Sequence, residues 1–202
     1  MSRFIYLVRH GEQQNAEHGL PDGPLTEKGR KQAELLADRL ARVPFTHAYH
    51  SPLERAQETA NIISSRLDNV QSEPSVLLLD CYPSGPSEDM PASFERFFGG
   101  VSEAELAAGS AQMADAVDEW LSPSKENTHE LLVTHNFVIS WLAREAMDAP
   151  SWRWLTMTVG NCSLSVIKVR SGRPNALMSL NDIGHLPPEL RTFGHGKNEL
   201  GS

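Results

Sequence analysis

The chain has 202 residues, of which 40% are hydrophobic, and its formal net charge is -8. This length and composition can bury one sizeable core, so we expect a single domain over residues 1–202. The acidic net charge argues against a general nucleic-acid binder. No apolar run approaches the roughly 18 residues of a membrane span, and the apolar start is too short for a signal peptide. We therefore expect a cytoplasmic protein.

The first third of the chain alternates apolar runs with helical patterns. An apolar run from Phe4 to Val8 predicts a buried strand that ends at the sequence Arg9-His10-Gly11-Glu12. Apolar residues at helical spacing predict a helix that begins near Thr26 and ends before Pro44. The stretch from Phe45 to His50 is a short predicted strand. A second helix follows, with Ser51 at its cap and proline in its first turn.

The rest of the chain continues this alternation. Val76 to Leu79 predicts a third strand, and the Pro-, Ser- and Gly-rich loop from Asp80 to Pro91 is a candidate lid. The remaining predicted elements are helices over 92–98, 103–121 and 136–147 and strands over 131–133, 164–169 and 176–180. The polar tail over 187–202 is expected to be partly mobile.

Strands that alternate with helices predict a parallel or mostly parallel sheet covered on both faces. The apolar runs lack the polar alternation of a sheet with one solvated face, which agrees with this interpretation. The expected fold is therefore a three-layer α/β/α sandwich.

Three polar clusters follow predicted strands or open the helices after them. They are Arg9-His10-Gly11, the segment from Ser51 to Arg55, and Thr134-His135-Asn136. Open α/β sheets bind ligands outside the carboxyl ends of their strands, so the three clusters can form one site. Taken alone, each histidine could be a hydrogen-bonded structural residue, and Arg55 could pair with Glu54 or Glu58.

Four segments together resemble a known family. RHGE at 9–12, LTEKGRKQAELLADRL at 25–40, SPLERAQETA at 51–60 and VTHN at 133–136 are similar to the successive signatures of the histidine phosphatase, or phosphoglycerate-mutase-like, superfamily. The resemblance covers nearly the whole chain, with the segments in the family's order. The resemblance is specific because the strand-end histidine of VTHN follows both the RHGE and the SPLERAQETA motifs.

The resemblance implies a role for each matched residue. His10 would attack phosphorus and form a phosphohistidine, which splits hydrolysis into two easier displacements. Arg9 and Arg55 would hold the phosphoryl oxygens, because planar guanidinium groups suit anionic oxygens. His135 and the backbone N–H of Asn136, at the start of a predicted helix, would bind the same anion and stabilise the transition state.

The general acid is where this sequence departs from its relatives. Asp80 stands where relatives commonly have glutamate, and Glu88, Asp89 and Glu12 are rival carboxylates. Asn15 lies one residue earlier than the asparagine that many relatives place after RHGE. Asn15, Glu12 and Glu88 are therefore kept as candidate substrate contacts.

The segment between the predicted third strand and His135 is short. Phosphoglycerate mutases of the family carry a longer insertion there, so the short segment favours a phosphatase over a mutase. The segments LLVTHNFVISWLAREAM and SLNDIGHLPPEL resemble a branch that includes a mitochondrial Ser/Thr protein phosphatase, although no presequence is evident. We expect a phosphorylated metabolite or a phosphoprotein as substrate, with no cofactor, metal, nucleic acid or membrane.

Three alternatives remain open at this point. They are mutase-type phosphoryl transfer, a noncatalytic phosphate-binding module, and a metal hydrolase with His10, Asp80 and His135 as ligands. The neighbouring arginines would repel a cation, and the chain has no HxH or HExxH spacing. The sequence does not predict the oligomeric state.

Overall fold

The computed structural model describes residues 1–14, 22–68 and 70–193, and a six-stranded sheet is its centre. The strands are β1 (Ser2–Arg9), β2 (His47–His50), β3 (Ser72–Pro74), β4 (Thr128–Thr134), β5 (Leu164–Arg170) and β6 (Ala176–Asp182). The α-helices are α1 (Glu27–Leu40), α2 (Glu54–Ser64), α3 (Glu103–Trp120) and α4 (Asn136–Ala146).

The sheet has the strand order β3-β2-β4-β1-β5-β6. Strands β3, β2, β4 and β1 pair in parallel, whereas β5 and β6 are antiparallel additions beside β1. The prediction of an α/β fold with a mostly parallel central sheet is therefore confirmed. The carboxyl ends of β1, β2 and β4 lie side by side, and this edge carries all three polar clusters.

Successive residues of the central strands face opposite helical layers. Leu132 of β4 packs in a core with α3 and α4, whereas Leu131 and Val133 pack in a second core with α1 and α2. Alternation of this kind follows from the two-residue period of a strand. Both faces are apolar, which is why β4 shows no polar alternation in its sequence.

The predicted third strand is wrong. The apolar run over Val76–Leu78 forms a short 3-10 helix, and the strand is the polar segment Ser72–Pro74 just before it. This strand lies at the edge of the sheet and, among the described strands, pairs with β2 alone, so burial does not impose an apolar sequence on it. Leu78 is fully buried in the core, which explains the apolar residue at that position, whereas Val76 is exposed.

The predicted start of the second helix is also wrong. Helix α2 begins at Glu54, and Leu53 occupies the cap without a side-chain hydrogen bond. The Oγ atom of Ser51 accepts only a long bond of 3.4 Å from the backbone N–H of Leu53. The side chain of Ser51 instead contacts a histidine of the site described below. The predicted helix over 92–98 is present as a 3-10 helix.

The candidate lid and the first part of the polar tail both make specific contacts. The candidate lid over 80–91 is joined to α3 by a hydrogen bond from Ser110 Oγ to the carbonyl of Pro83, and Trp154 Nε1 donates to Ser84 Oγ. In the tail over 187–193, Thr192 Oγ1 accepts a hydrogen bond from Gln32 of α1, and the rest of the tail lies outside the described residues. None of the described helices is long and apolar enough to cross a membrane.

Candidate active site

Three backbone segments continue the sheet ladder just beyond the strand ends and place the polar clusters together. The backbone N–H of His10 donates to the carbonyl of Thr134 at 3.0 Å, and that of Ser51 donates to the carbonyl of Val133 at 2.9 Å. The rings of His10 and His135 consequently lie with their centroids 5.1 Å apart. The prediction that these distant clusters converge therefore agrees with the structure.

Arg55 lies between the two histidines. Its Nε atom donates to Nε2 of His10, and its Nη2 atom donates to Nδ1 of His135, both at 3.2 Å. The residue is buried, with 4% of its surface exposed. Glu58, one of the neighbours proposed for a purely structural pairing, bonds to Arg30 and to the backbone of Leu25 instead.

The hydrogen bonds of His10 determine which nitrogen carries its proton. Its Nδ1 atom lies 2.8 Å from the carbonyl oxygen of Gly11, which can only accept, so we assign the proton to Nδ1. The Nε2 atom is then a lone pair that accepts from Arg55. Burial, followed by the charges of Arg9 and Arg55, holds the pKa of His10 well below its usual range. The fold therefore favours the neutral imidazole of His10, with its lone pair on Nε2.

His135 occupies the cap position of α4 and is almost fully buried. Its Nε2 atom lies 2.8 Å from Ser51 Oγ, while its Nδ1 atom faces Arg55. Burial, His10, Arg55 and Arg9 all lower the pKa of His135 well below its usual range. The first N–H groups of α4 lie beside this ring and have no partner within the helix, as at any helix start.

Arg9 is a second, half-buried cation at the site. Its Nη1 atom donates to the carbonyl of Val159 at 2.6 Å, whereas its buried Nε atom has no hydrogen-bond partner among the described residues. Burial lowers the pKa of Arg9 to about 10, so the group remains charged at neutral pH. A buried guanidinium donor without a partner is costly unless a ligand completes it, and an anion is the fitting ligand.

Two carboxylates border this cationic centre. Asp22 Oδ1 lies 3.2 Å from Arg55 Nη1, and Asp80 Oδ2 lies 3.6 Å from Arg55 Nη2. Partial burial raises the pKa of Asp80, whereas the charges of Arg55 and Arg9 act to lower it. The side chain is 43% exposed to solvent. The shorter side chain thus still reaches the site where relatives use glutamate.

Comparison with known proteins shows the family to which the chain belongs. A family model described as the histidine phosphatase superfamily (branch 1) matches residues 5–78 and 86–183. The chain belongs to the histidine phosphatase superfamily. The resemblance identified from the sequence motifs is therefore confirmed over most of the chain.

Individual relatives agree with this membership. The chain is 36% identical over 198 residues to the mitochondrial serine/threonine-protein phosphatase Pgam5 of Caenorhabditis elegans, covering 95% of this chain and 67% of that protein. It is 30% identical to human PGAM5, covering 95% of this chain and 66% of the relative. Bacillus stearothermophilus YhfR has a similar structure, with a TM-score of 0.74 and 26% identity, covering 91% of this chain and 98% of the other.

The expected cytoplasmic location is wrong. The relatives at 36% and 30% identity are both named as mitochondrial proteins. The expectation was based on the lack of an apolar leader, and such a lack does not determine location. The chain spans about two thirds of the length of these relatives.

Several residues expected at a histidine phosphatase site have other contacts here. Glu12 accepts a hydrogen bond from Thr26 Oγ1 at 2.9 Å, which joins it to the start of α1. The side-chain oxygen of Asn136 accepts from the backbone N–H of Val159, so its side chain is engaged away from the histidines. Glu88 is exposed and has no hydrogen bond or ion pair to a described residue. Asn15 lies outside the described residues.

The backbone of the loop that follows His10 packs directly on α1. A Cβ atom at Gly11 would lie 2.6 Å from the carbonyl oxygen of Gly29, and one at Gly29 would lie 2.2 Å from the carbonyl oxygen of Glu12. Neither distance is compatible with a side chain. The two glycines therefore permit a close backbone approach that fixes the loop after His10.

A polar network with little signal in the sequence also holds this loop. Gln32, which is fully buried, accepts from the backbone N–H of Glu12 and donates to Thr192 Oγ1, both at 2.9 Å. Thr192 donates to Asn161, and Asn161 donates to the carbonyl of His10, both at 3.0 Å. The only sequence signal for this network is a glutamine on the buried face of α1.

The cysteine beside Asp80 has no sign of reactivity. Burial and the neighbouring carboxyl raise the pKa of Cys81 to about 12, so its thiol stays neutral. A neutral thiol is a poor nucleophile. The interpretation of Cys81 as an ordinary loop cysteine agrees with this environment.

Proposed function

We propose that this chain is a metal-independent phosphatase that hydrolyses phosphomonoesters through a phosphohistidine on Nε2 of His10. One observation carries the proposal: the Nε2 lone pair of a neutral, buried histidine contacts a buried guanidinium group at 3.2 Å. A nucleophile and an oxyanion donor thus lie within one phosphoryl group's reach of each other.

In the first displacement, Nε2 of His10 forms a bond to phosphorus while the bond from phosphorus to the ester oxygen breaks. Arg9 and Arg55 hold the phosphoryl oxygens, and His135 adds a donor to the same group. The departing oxygen takes a proton from the carboxyl group of Asp80, whose pKa is raised above its usual value. The products are an alcohol and a phosphohistidine.

In the second displacement, water attacks the same phosphorus atom. The carboxylate of Asp80 accepts a proton from the water, the bond between phosphorus and His10 breaks, and inorganic phosphate leaves. Both groups return to their starting protonation states, so the cycle balances. Asp80 thus acts as an acid in the first step and as a base in the second.

The proposed substrates are phosphoserine and phosphothreonine in proteins. Relatives at 36% and 30% identity are named serine/threonine-protein phosphatases, and we extend both this activity and their mitochondrial location to the chain. Alkoxide leaving groups of this kind require a proton, which fits a carboxyl group of raised pKa beside the nucleophile. Nucleic acid and membrane have no role in the proposed reaction.

The position of Arg55 supports independence from metal ions. The imidazole nitrogens that could ligate a cation, Nε2 of His10 and Nδ1 of His135, both accept hydrogen bonds from this one guanidinium group. A metal ion between them would have to displace a permanent cation. Activity should therefore survive an excess of chelator.

The test is hydrolysis of p-nitrophenyl phosphate and of phosphoserine and phosphothreonine peptides, with chelator present, by wild type and His10→Ala. We expect the substitution to abolish turnover and the trapped 32P-phosphoenzyme. The matched control is His50→Ala, because His50 is equally buried at the end of β2 but bonds to Ser72 outside the site.

Three outcomes would contradict the proposal. Full activity of folded His10→Ala would remove the nucleophile, and loss of activity in chelator would indicate a metal. Phosphate binding without turnover by the wild type would indicate a noncatalytic module. Thermal melts and circular dichroism of each variant separate these outcomes from unfolding.

A further inference from the structure

The hydroxyl group of Ser51 has no assigned role in the reaction, yet it contacts a residue of the site. Ser51 is fully buried directly after β2, and its Oγ atom lies 2.8 Å from Nε2 of His135. Its backbone N–H donates to the carbonyl of Val133, which fixes the position of the backbone from which the side chain extends. The hydroxyl therefore meets the ring on the side opposite to Arg55.

The position of the proton on His135 follows from these two contacts. The Nη2 atom of Arg55 can only donate, so Nδ1 of His135 must accept and carries no proton in the neutral ring. The proton of the neutral ring is then on Nε2. Ser51 Oγ accepts it, which is one of the two roles that a hydroxyl group can take.

Phosphoryl binding changes what is required of His135. Unprotonated phosphoryl oxygens only accept hydrogen bonds, so Nδ1 has to carry a proton before it can donate to one of them. An ester that binds as the monoanion can supply it, because a proton that leaves a phosphoryl oxygen and joins Nδ1 gives a dianion beside an imidazolium. Ser51 accepts from Nε2 before and after this transfer, so the ring need not move.

We propose that Ser51 is a positioning residue that holds His135 through Nε2 and thereby keeps Nδ1 directed at the phosphoryl group. The inference rests on the proposed function, in which His135 donates to that group. A side chain that could only donate at this position would force the proton of the neutral ring onto Nδ1, against Arg55. A hydroxyl group satisfies both the neutral and the charged ring.

The fold contains a matched control for this pair. His50, the residue just before Ser51, has its Nδ1 atom 2.9 Å from Oγ of Ser72. This pair joins β2 to β3 and contributes no group to the site. Ser72→Ala thus removes a serine–histidine contact of nearly the same length without touching His135.

The test is a double-mutant cycle with p-nitrophenyl phosphate as substrate. We expect Ser51→Ala to lower kcat at least tenfold, with Ser72→Ala within twofold of wild type. In a His135→Ala background, adding Ser51→Ala should change kcat less than twofold, because Ser51 acts through the ring. Thermal melts establish that each variant is folded.

The outcomes separate this inference from the proposed function. An equal loss from Ser51→Ala with and without His135, or no loss in either background, would overturn the role of Ser51. Wild-type kcat in His135→Ala would instead remove His135 from the proposed reaction. His10→Ala should remain inactive in either case.

A second measurement needs no variant of Ser51. Nitrogen-15 NMR of histidine-labelled wild type, assigned with His135→Ala, reports which ring nitrogen is protonated. Without phosphate we expect a protonated Nε2 and an unprotonated Nδ1 on His135. The opposite tautomer would contradict the proposed hydrogen bond to Ser51 even if the variant failed to fold.

Discussion

The charged side chains at the two ends of the β1–β4 strand pair have different kinds of partner. At the amino end, Arg3 and Glu130 form a two-pronged ion pair with both N–O distances at 2.6 Å, and Thr128 adds a bond to the same carboxylate. At the carboxyl end, Arg9 and Arg55 contact imidazole nitrogens and a carbonyl, and the carboxylates near them remain partly exposed.

The difference indicates where a ligand is required. The pair of Arg3 and Glu130 is complete within the protein, so its charges need nothing from solvent. The Nε atom of Arg9 has no partner among the described residues, and both histidines near it are neutral. Buried charge that the protein does not satisfy marks a binding site, whereas satisfied buried charge marks a structural contact.

The largest expected effect breaks the amino-end pair. Glu130→Ala leaves the cation of Arg3 buried without its carboxylate, and the free energy of unfolding should fall by about 3–5 kcal/mol. Because this end is far along the strands from the histidines, kcat/KM of the folded variant should stay within twofold of wild type. Urea unfolding and steady-state kinetics measure the two quantities. A large loss of kcat/KM would contradict the division between the two ends.

The converse substitution is made at the carboxyl end. Arg55→Ala should lower kcat/KM by a factor that corresponds to about 3 kcal/mol of lost transition-state stabilisation, because the hydrogen bonds of Arg55 strengthen as charge develops on the phosphoryl oxygens. Its free energy of unfolding should change far less than that of Glu130→Ala. Arg55→Lys is the informative companion, because a point charge cannot contact both histidines at once. Unchanged kcat/KM in Arg55→Ala would make this residue structural.

Asp80→Asn sharpens the comparison at the rim of the site. We expect a loss of about 100-fold in kcat for alkyl phosphates and a much smaller loss for aryl phosphates, whose leaving oxygen needs no proton. Wild-type activity on alkyl esters should fall as the pH rises through the raised pKa of Asp80, because the acid form is lost. A plot of kcat against leaving-group pKa tests both statements. Equal losses for both ester types would rule out the role of general acid.

The smallest expected effect concerns stability as a function of pH. The pKa values of His10 and His135 are lowered in the fold, so below about pH 6.5 the unfolded chain binds protons that the native protein does not. Stability should therefore be fully present above pH 6.5 and fall as the pH drops below it. Melting temperatures from pH 8 to pH 5 should decline less in His10→Asn than in wild type. Parallel curves would mean that His10 is not held neutral.

Short-range sequence patterns determined the α/β class, the approximate positions of most helices and strands, and the group of residues around His10. Apolar runs such as the one before Arg9 have to be buried on both faces, and polar residues that follow them lie at strand ends. Those constraints act within a few residues and can be read along the chain. They failed at β3, where a polar edge strand carries no such pattern.

Only the tertiary structure decided the partners of each polar side chain. Whether Arg55 meets Glu58 or two histidines, whether Glu12 joins α1 or the substrate, and whether Ser51 caps a helix or binds His135 depend on residues up to 84 positions apart. A buried donor bonds to whichever acceptor the packed sheet brings to it. Sequence spacing determines only the nearest candidates, because hydrogen-bond geometry is fixed by the packing of β1, β2 and β4.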